Sequence, residues 1–248
     1  KNTKLMLNII GIGLNDEKDI TVKGLELVKE SDYIYLENYT SKLQVPITNL
    51  EKLYNKKIIL VEREFVEDGK EIIEKSKSQN VSLLIIGDPF SATTHLSLLQ
   101  QAKDIKTNII GNASVLTAIG IVGLELYKYG KTTSIPFHNE QVQTPYDVIK
   151  SNKPLHTLCL LDLSPKDNKF MEAKQAIDFL LNIEKERKEN VLTEDTKIIV
   201  CSQLGSENPI IQYTGAKNIT NLNKFPQCLI IPGDLHFMEE EFLNKFII

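Results

Sequence analysis

The chain has 248 residues, enough for one large domain or for two of ordinary size. Its composition, 42% hydrophobic and 25% charged, is that of a soluble globular protein rather than a disordered or fibrous one. A formal net charge of −4 supplies no broad basic field for nucleic acid, and no apolar run approaches the roughly 20 residues that span a bilayer.

The chain alternates between short apolar runs and segments of helical spacing. Lys1 to Lys4 are polar and lead straight into a strand-like run, Leu5 to Ile10, which is not the pattern of a secretory signal. That run ends in Gly11-Ile12-Gly13. Thr21 to Glu30 carries Val22, Leu25 and Val28 at helical spacing. Strands are expected at Tyr33 to Leu36, Lys57 to Val61, Ser82 to Ile86 and Asn108 to Ile110, and helices at Lys70 to Ser78 and His95 to Ala102. After Asn112 the texture changes. Ala113 to Leu126, rich in small and apolar residues, predicts a buried helix, and Tyr129 to Pro145 predicts an irregular stretch. Alternation then resumes, with strands at Thr157 to Leu161, Lys197 to Cys201, Ile210 to Thr214 and Cys228 to Ile231. Helices are expected at Met171 to Lys185 and Glu239 to Phe246. Apolar strands separated by helices predict sheets with helices packed on their faces. The change at Asn112 predicts two α/β domains, residues 1–112 and 113–248, with a ligand cleft between them.

Cys159, Cys201 and Cys228 each lie in or beside an apolar run and show no metal-ligand spacing, so they read as buried thiols of a reducing compartment, the cytoplasm. The four histidines are scattered and predict no metal site. Gly11-Ile12-Gly13 follows a first strand, but position 16 is Asp, where the dinucleotide fingerprint needs a third glycine. There is no Gly-x-x-x-x-Gly-Lys-Ser/Thr phosphate loop, position 125 being Glu ahead of Gly130-Lys131-Thr132, and no Gly-x-Ser-x-Gly elbow.

Gly87-Asp88-Pro89-Phe90-Ser91 follows a wholly apolar strand, and ligands of open α/β sheets sit beyond the carboxyl ends of strands. Pro89 disfavours helical backbone at Asp88, and Ser91, Thr93 and Thr94 can cap the next helix. Local chemistry alone favours an Asp-Pro turn with a capped helix; the position at a strand end argues for a ligand contact. Asn112-Ala113-Ser114 has the same two readings, Ser114 as a helix cap or backbone N–H groups facing a ligand.

Seven runs in order carry a resemblance: Met6 to Leu14 (MLNIIGIGL), Asp19 to Leu25 (DITVKGL), Glu37 to Ser41 (ENYTS), Gly87 to His95 (GDPFSATTH), Asn112 to Ser114 (NAS), His156 to Asp162 (HTLCLLD) and Leu229 to His236 (LIIPGDLH). Together they resemble the diphthine synthase family, of the tetrapyrrole methylase-like superfamily. The resemblance implies two α/β domains of the tetrapyrrole methylase-like type with the donor in the cleft between them, and a homodimer. It also implies an S-adenosylmethionine-dependent methyltransferase releasing S-adenosylhomocysteine. The implied substrate is the aminocarboxypropyl-histidine of translation elongation factor 2, methylated at the amine and, in eukaryotic members, also at the carboxylate. The donor contacts it implies are Leu14, Asp88, Ser91, Ser114, Val115, Leu161, Leu204 and Gln227. Family members often have His where this chain has Gln227, and Ala-Arg where it has Ser202-Gln203. Losing that Arg bears on how the protein substrate docks. The segment from Lys166 to Lys169 is shorter than expected of eukaryotic members.

Methyl transfer to an amine is an in-line displacement, so orientation can supply up to roughly 7–11 kcal/mol of the acceleration. A dedicated base is not obligatory and no catalytic residue is named; Glu37 and Tyr39 are candidates for the acceptor side. The alternatives are a methyltransferase of the same fold acting on a precorrin-type tetrapyrrole, and a non-enzymatic module that binds the elongation factor.

Overall fold

The computed structural model describes residues 6–91 and 95–247. Leu5, expected in the first strand, and Thr93 and Thr94, expected as helix caps, lie outside them. The chain divides into two compact units, Lys1–Ala118 with Gly205–Glu207, and Ile119–Leu204 with Asn208–Ile248.

In the first unit the elements run β1 (Leu7–Gly11), α1 (Val22–Glu30), β2 (Tyr33–Glu37), α2 (Ile47–Tyr54), β3 (Ile59–Val61), α3 (Arg63–Asp68), α4 (Lys70–Ser76), β4 (Val81–Ile85), α5 (Leu96–Gln101), β5 (Thr107–Ile110) and α6 (Val115–Ala118). The strands form one parallel sheet in the order β3-β2-β4-β1-β5. Alternate residues of each strand feed opposite faces. Leu7, Ile9, Leu83 and Ile85 pack with Val66 of α3, Ile72 of α4 and Leu98 of α5. Ile10, Ile34, Leu36 and Leu84 pack with Val28 of α1 and with Leu50 and Tyr54 of α2. Helices cover both faces at the centre of the sheet, which is why β1 and β4 read as nearly continuous apolar runs, broken only by Asn8 and Ser82. Each such side chain contributes about 1.5–3 kcal/mol on burial. α1 starts where expected, with the Thr21 hydroxyl accepting from the Gly24 N–H at 3.0 Å.

In the second unit follow β6 (Thr133–Ile135), α7 (Thr144–Asn152), β7 (Thr157–Leu161), β8 (Leu163–Ser164), β9 (Lys169–Phe170), α8 (Ala173–Arg187), β10 (Lys197–Ser202), β11 (Ile210–Gly215), β12 (Gln227–Ile231) and α9 (Phe237–Leu243). Its sheet has the order β11-β10-β12-β7-β6 and is antiparallel except for β6 against β7. Its core joins Ile198 and Val200, Leu229 and Ile231, and Cys159 and Leu161 to Tyr146 of α7 and Ala176, Ile177, Leu180 and Leu181 of α8.

Two expectations need correction. The helix expected over Ala113 to Leu126 is only the four residues of α6, followed by a 3-10 turn at Ile119–Val122. Gly123 then adopts φ +86°, a left-handed conformation that ends any helix. The stretch expected to be irregular, Tyr129 to Pro145, contains β6 and the first turn of α7, where Pro145 is tolerated because the N–H groups there need no partner within the helix. Helices α2 and α3 had no expected counterpart. Among the described residues no helix is long and apolar enough to cross a membrane.

Candidate functional site

In the first unit the carboxyl ends of β1, β4 and β5 lie side by side, and their loops are tied together. Gly87 donates to the Gly13 carbonyl at 2.8 Å and Gly13 donates back to the Gly87 carbonyl at 3.3 Å. This needs backbones closer than side chains permit. A Cβ on Gly11 would stand 2.5 Å from the Gly87 carbonyl oxygen, and Gly87 itself has φ +86°.

Asp88 organises the loop. Its Oδ1 accepts from the Phe90 N–H at 3.0 Å, the Ser91 N–H at 3.1 Å and the Ser91 hydroxyl at 3.0 Å, while Oδ2 accepts from the Asn112 N–H at 3.0 Å. Partial burial pushes the carboxyl upward, but these donors outweigh it and hold its pKa below the usual carboxylate range. Ser91 therefore serves Asp88 rather than capping the next helix, whose N-cap position is His95 with no side-chain cap bond. Asn112 links the third strand end to the first, donating from Nδ2 to the Gly11 carbonyl at 3.0 Å and the Asp19 carbonyl at 2.9 Å. Asp19 in turn accepts from the Leu14 and Asn15 N–H groups at 3.1 and 2.8 Å. Ser114 takes the capping reading: its buried hydroxyl accepts from the Leu116 N–H at 3.0 Å, with Val115 opening α6. Leu14, Asp88, Ser91, Ser114 and Val115 are thus all placed by the loops after these three strands. Asp19 is a brace that sequence reasoning missed. The signal available was an acidic side chain a few residues after a Gly-x-Gly turn whose N–H groups needed an acceptor.

Beside these loops, at the end of β2, Glu37 is fully buried. Its Oε1 accepts the Thr40 hydroxyl, and its Oε2 has no hydrogen-bond partner among the described residues. Burial pushes Glu37 up to about 7, against the lowering effect of the Thr40 hydroxyl, the Ile86 and Thr40 N–H groups and the more distant Arg63 charge. Tyr39 is buried too, its hydroxyl 3.4 Å from His95 Nε2 and its ring under the Arg63 guanidinium at 5.0 Å. Burial lowers the pKa of His95, favouring a neutral ring. His95 and Arg63 were not singled out from the sequence for this position, because only the tertiary fold carries them to Tyr39.

In the second unit, Leu161 ends β7, Gln227 opens β12 and faces Ser202 of β10, and Leu204 follows two residues on. All three are buried. Gln227 uses both ends of its amide: Oε1 accepts from the Ala173 N–H at the start of α8 at 2.8 Å, and Nε2 donates to the Lys224 carbonyl at 3.0 Å. Gln203 has φ +53° and donates its N–H to the Pro226 carbonyl at 2.9 Å. Among the described residues no group of three His, Cys, Asp or Glu side chains is arranged to hold a metal ion.

Residues 6–217 match the family model for tetrapyrrole (corrin/porphyrin) methylases. The chain is 45% identical to the diphthine synthase of Methanococcus maripaludis, over 96% of its own length and 98% of that protein's. It is 42% identical to the diphthine methyl ester synthase of Dictyostelium discoideum, over 98% of both chains. A crystal structure of a diphthine synthase superposes with a TM-score of 0.88 at 35% identity, covering 98% of this chain and 96% of that one.

Proposed function

Since the chain belongs to the tetrapyrrole methylases, and within them to the diphthine synthase family, we propose that it methylates the aminocarboxypropyl-histidine of translation elongation factor 2. The near-full-length similarity to diphthine synthases carries this reading. It also sets aside the precorrin-type alternative, which shares the wider fold but not those relatives. The donor in this reading is S-adenosylmethionine, which supplies a methyl group already activated on a sulfonium, and S-adenosylhomocysteine leaves.

The residues fit such a donor. In the first unit the glycine-lined approach of β1 and β4 leaves no Cβ over the strand ends, and Leu14 offers an apolar contact. Asp88 Oδ2 accepts one protein hydrogen bond and keeps lone-pair capacity for a ligand hydroxyl or amine. Ser91 fixes the carboxylate, and Ser114 and Val115 present the start of α6. In the second unit Leu161 and Leu204 are buried apolar side chains that the family resemblance assigns to the donor, and Gln227 holds the start of α8. The enzyme works as a homodimer in the cytoplasm. No residue is required to form a covalent bond to the substrate.

The test is transfer of labelled methyl from S-adenosylmethionine to elongation factor 2 that carries the aminocarboxypropyl-histidine, with mass spectrometry to count the methyl groups and locate any ester. Label appearing on the factor is expected. A chain that binds neither S-adenosylmethionine nor S-adenosylhomocysteine in calorimetry overturns the reading.

A further inference from the structure

Each methyl group added to an amine replaces one proton, so a site that methylates an amine has to dispose of a proton per turnover. We propose that Glu37 takes this proton, and that the acceptor amine therefore docks at the carboxyl end of β2, against Glu37, Thr40, Tyr39 and His95. The proposal rests on the methyltransferase reading above and names the part of the site that reading left open.

Three observations carry it. First, Glu37 Oε2 is buried and no donor among the described residues meets it with hydrogen-bond geometry, although the Ile86 and Thr40 N–H groups also act on the carboxyl, and a buried acceptor left so costs about 1–3 kcal/mol. An incoming ammonium is the donor it lacks. Second, β2 pairs with β4 in the register Leu36 to Leu84, so Glu37 sits one step further along, beside the start of the Gly87 loop. The carboxyl thus lies next to the loop that Asp88 organises, in the same unit. Third, Thr40 is bonded directly to the carboxyl and is half-buried, so it is the neighbour through which an amine reaches an otherwise sealed group.

The surroundings suit a proton that is held briefly and released. The charged and titratable groups acting on this cluster are Arg63, Glu64 and Glu67 of α3, with Tyr39 and His95. Arg63 favours the ionised carboxylate, and burial opposes it, leaving Glu37 near neutrality. In the step itself the ammonium N–H bond breaks and its proton goes to Glu37 Oε2. The freed nitrogen lone pair forms the bond to the methyl carbon, and the carbon–sulfur bond breaks with its electron pair going to sulfur. Glu37 then returns its proton to water, one for each methyl transferred.

The experiment uses the full chain, elongation factor 2 carrying the modified histidine, and the variants Glu37→Gln and Thr40→Ala. Glu37→Gln should bind S-adenosylhomocysteine as the wild type does, while methyl transfer falls about 100-fold, the scale of a lost general base. The wild-type rate should show an acid limb near pH 7, and that limb should vanish in Glu37→Gln. Thr40→Ala removes a hydrogen bond that lowers the Glu37 pKa, so it should move that limb to higher pH. A purely structural Glu37 would move neither limb. If Glu37→Gln keeps the wild-type rate and pH profile, or Thr40→Ala leaves the limb in place, the inference is overturned while the methyltransferase reading stands. A wild type that transfers no methyl to the factor overturns both. Should Glu37→Gln fail to fold, the Thr40→Ala profile decides alone.

Discussion

Asp88 places its carboxylate where three loop donors and one N–H from the next strand end converge. Asp88→Asn puts an amide N–H₂ among N–H donors, so the loop should lose its shape and donor affinity should drop by about 1–3 kcal/mol. Calorimetry with S-adenosylhomocysteine reads this directly, and unchanged affinity in a folded variant would remove Asp88 from the site. Glu37 makes a prediction of opposite sign for stability. Its folded pKa of about 7 lies above the ordinary 4.5. The group's contribution is therefore full below pH 4.5 and is lost as the pH rises through 7, at a cost on the order of 3 kcal/mol. Glu37→Gln should melt higher than the wild type at pH 8, with the gap closing by pH 5. Glu239 runs the other way. The Glu125 and His236 N–H groups, Lys128 and His156 outweigh its burial and hold it down to about 2. Its contribution is complete above pH 4.5 and disappears as the pH falls toward 2, so Glu239→Gln should lower the melting temperature at pH 7 but much less at pH 2.

At the scale of elements, the departures from sequence expectation trace to particular residues. Ala113 to Leu126 has helical composition, but Gly123 sits in left-handed backbone, and a Cβ there would overlap the Phe242 ring of α9. Gly123→Ala should therefore destabilise by at least about 1–2 kcal/mol, the cost of left-handed backbone alone, rather than stabilise as it would in a helix. Chemical denaturation tests this, and a gain in stability would contradict the observed backbone. The expected strands, by contrast, lie within about two residues of the observed ones. They are short, mainly apolar runs, the central β1 and β4 buried on both faces, and their pattern needs no distant partner to be recognised. α2 and α3 were not legible because few of their residues are buried and their apolar stripes are narrow. At the site, the Gly87 loop and the Asn112 segment were legible as strand-end motifs. Whether Ser91 would cap a helix or serve Asp88 depended on where α5 begins, which tertiary packing decides.

For the whole molecule, a donor that binds only the folded chain should raise its stability by about 2.7 kcal/mol at a hundred times the dissociation constant. Melting temperature should thus climb with S-adenosylhomocysteine and stay flat with adenine alone. Cys159, Cys201 and Cys228 are free and buried, so none should react quickly with a thiol reagent in the native protein and all three should after unfolding. The amino-acid sequence alone determined the class of fold, the order of its strands along the chain, the glycines that let β1 and β4 approach, and the family. Each of these depends on local pattern or on an ordered set of short runs. The tertiary structure decided which side chains meet across long separations. Asn112 reaches back to Gly11 and Asp19, His95 comes to lie against Tyr39, and Glu37 is left with one oxygen unpartnered among the described residues beside the Gly87 loop. Hydrogen-bond satisfaction in a buried site is a property of the assembled neighbours, and no single stretch of sequence contains them.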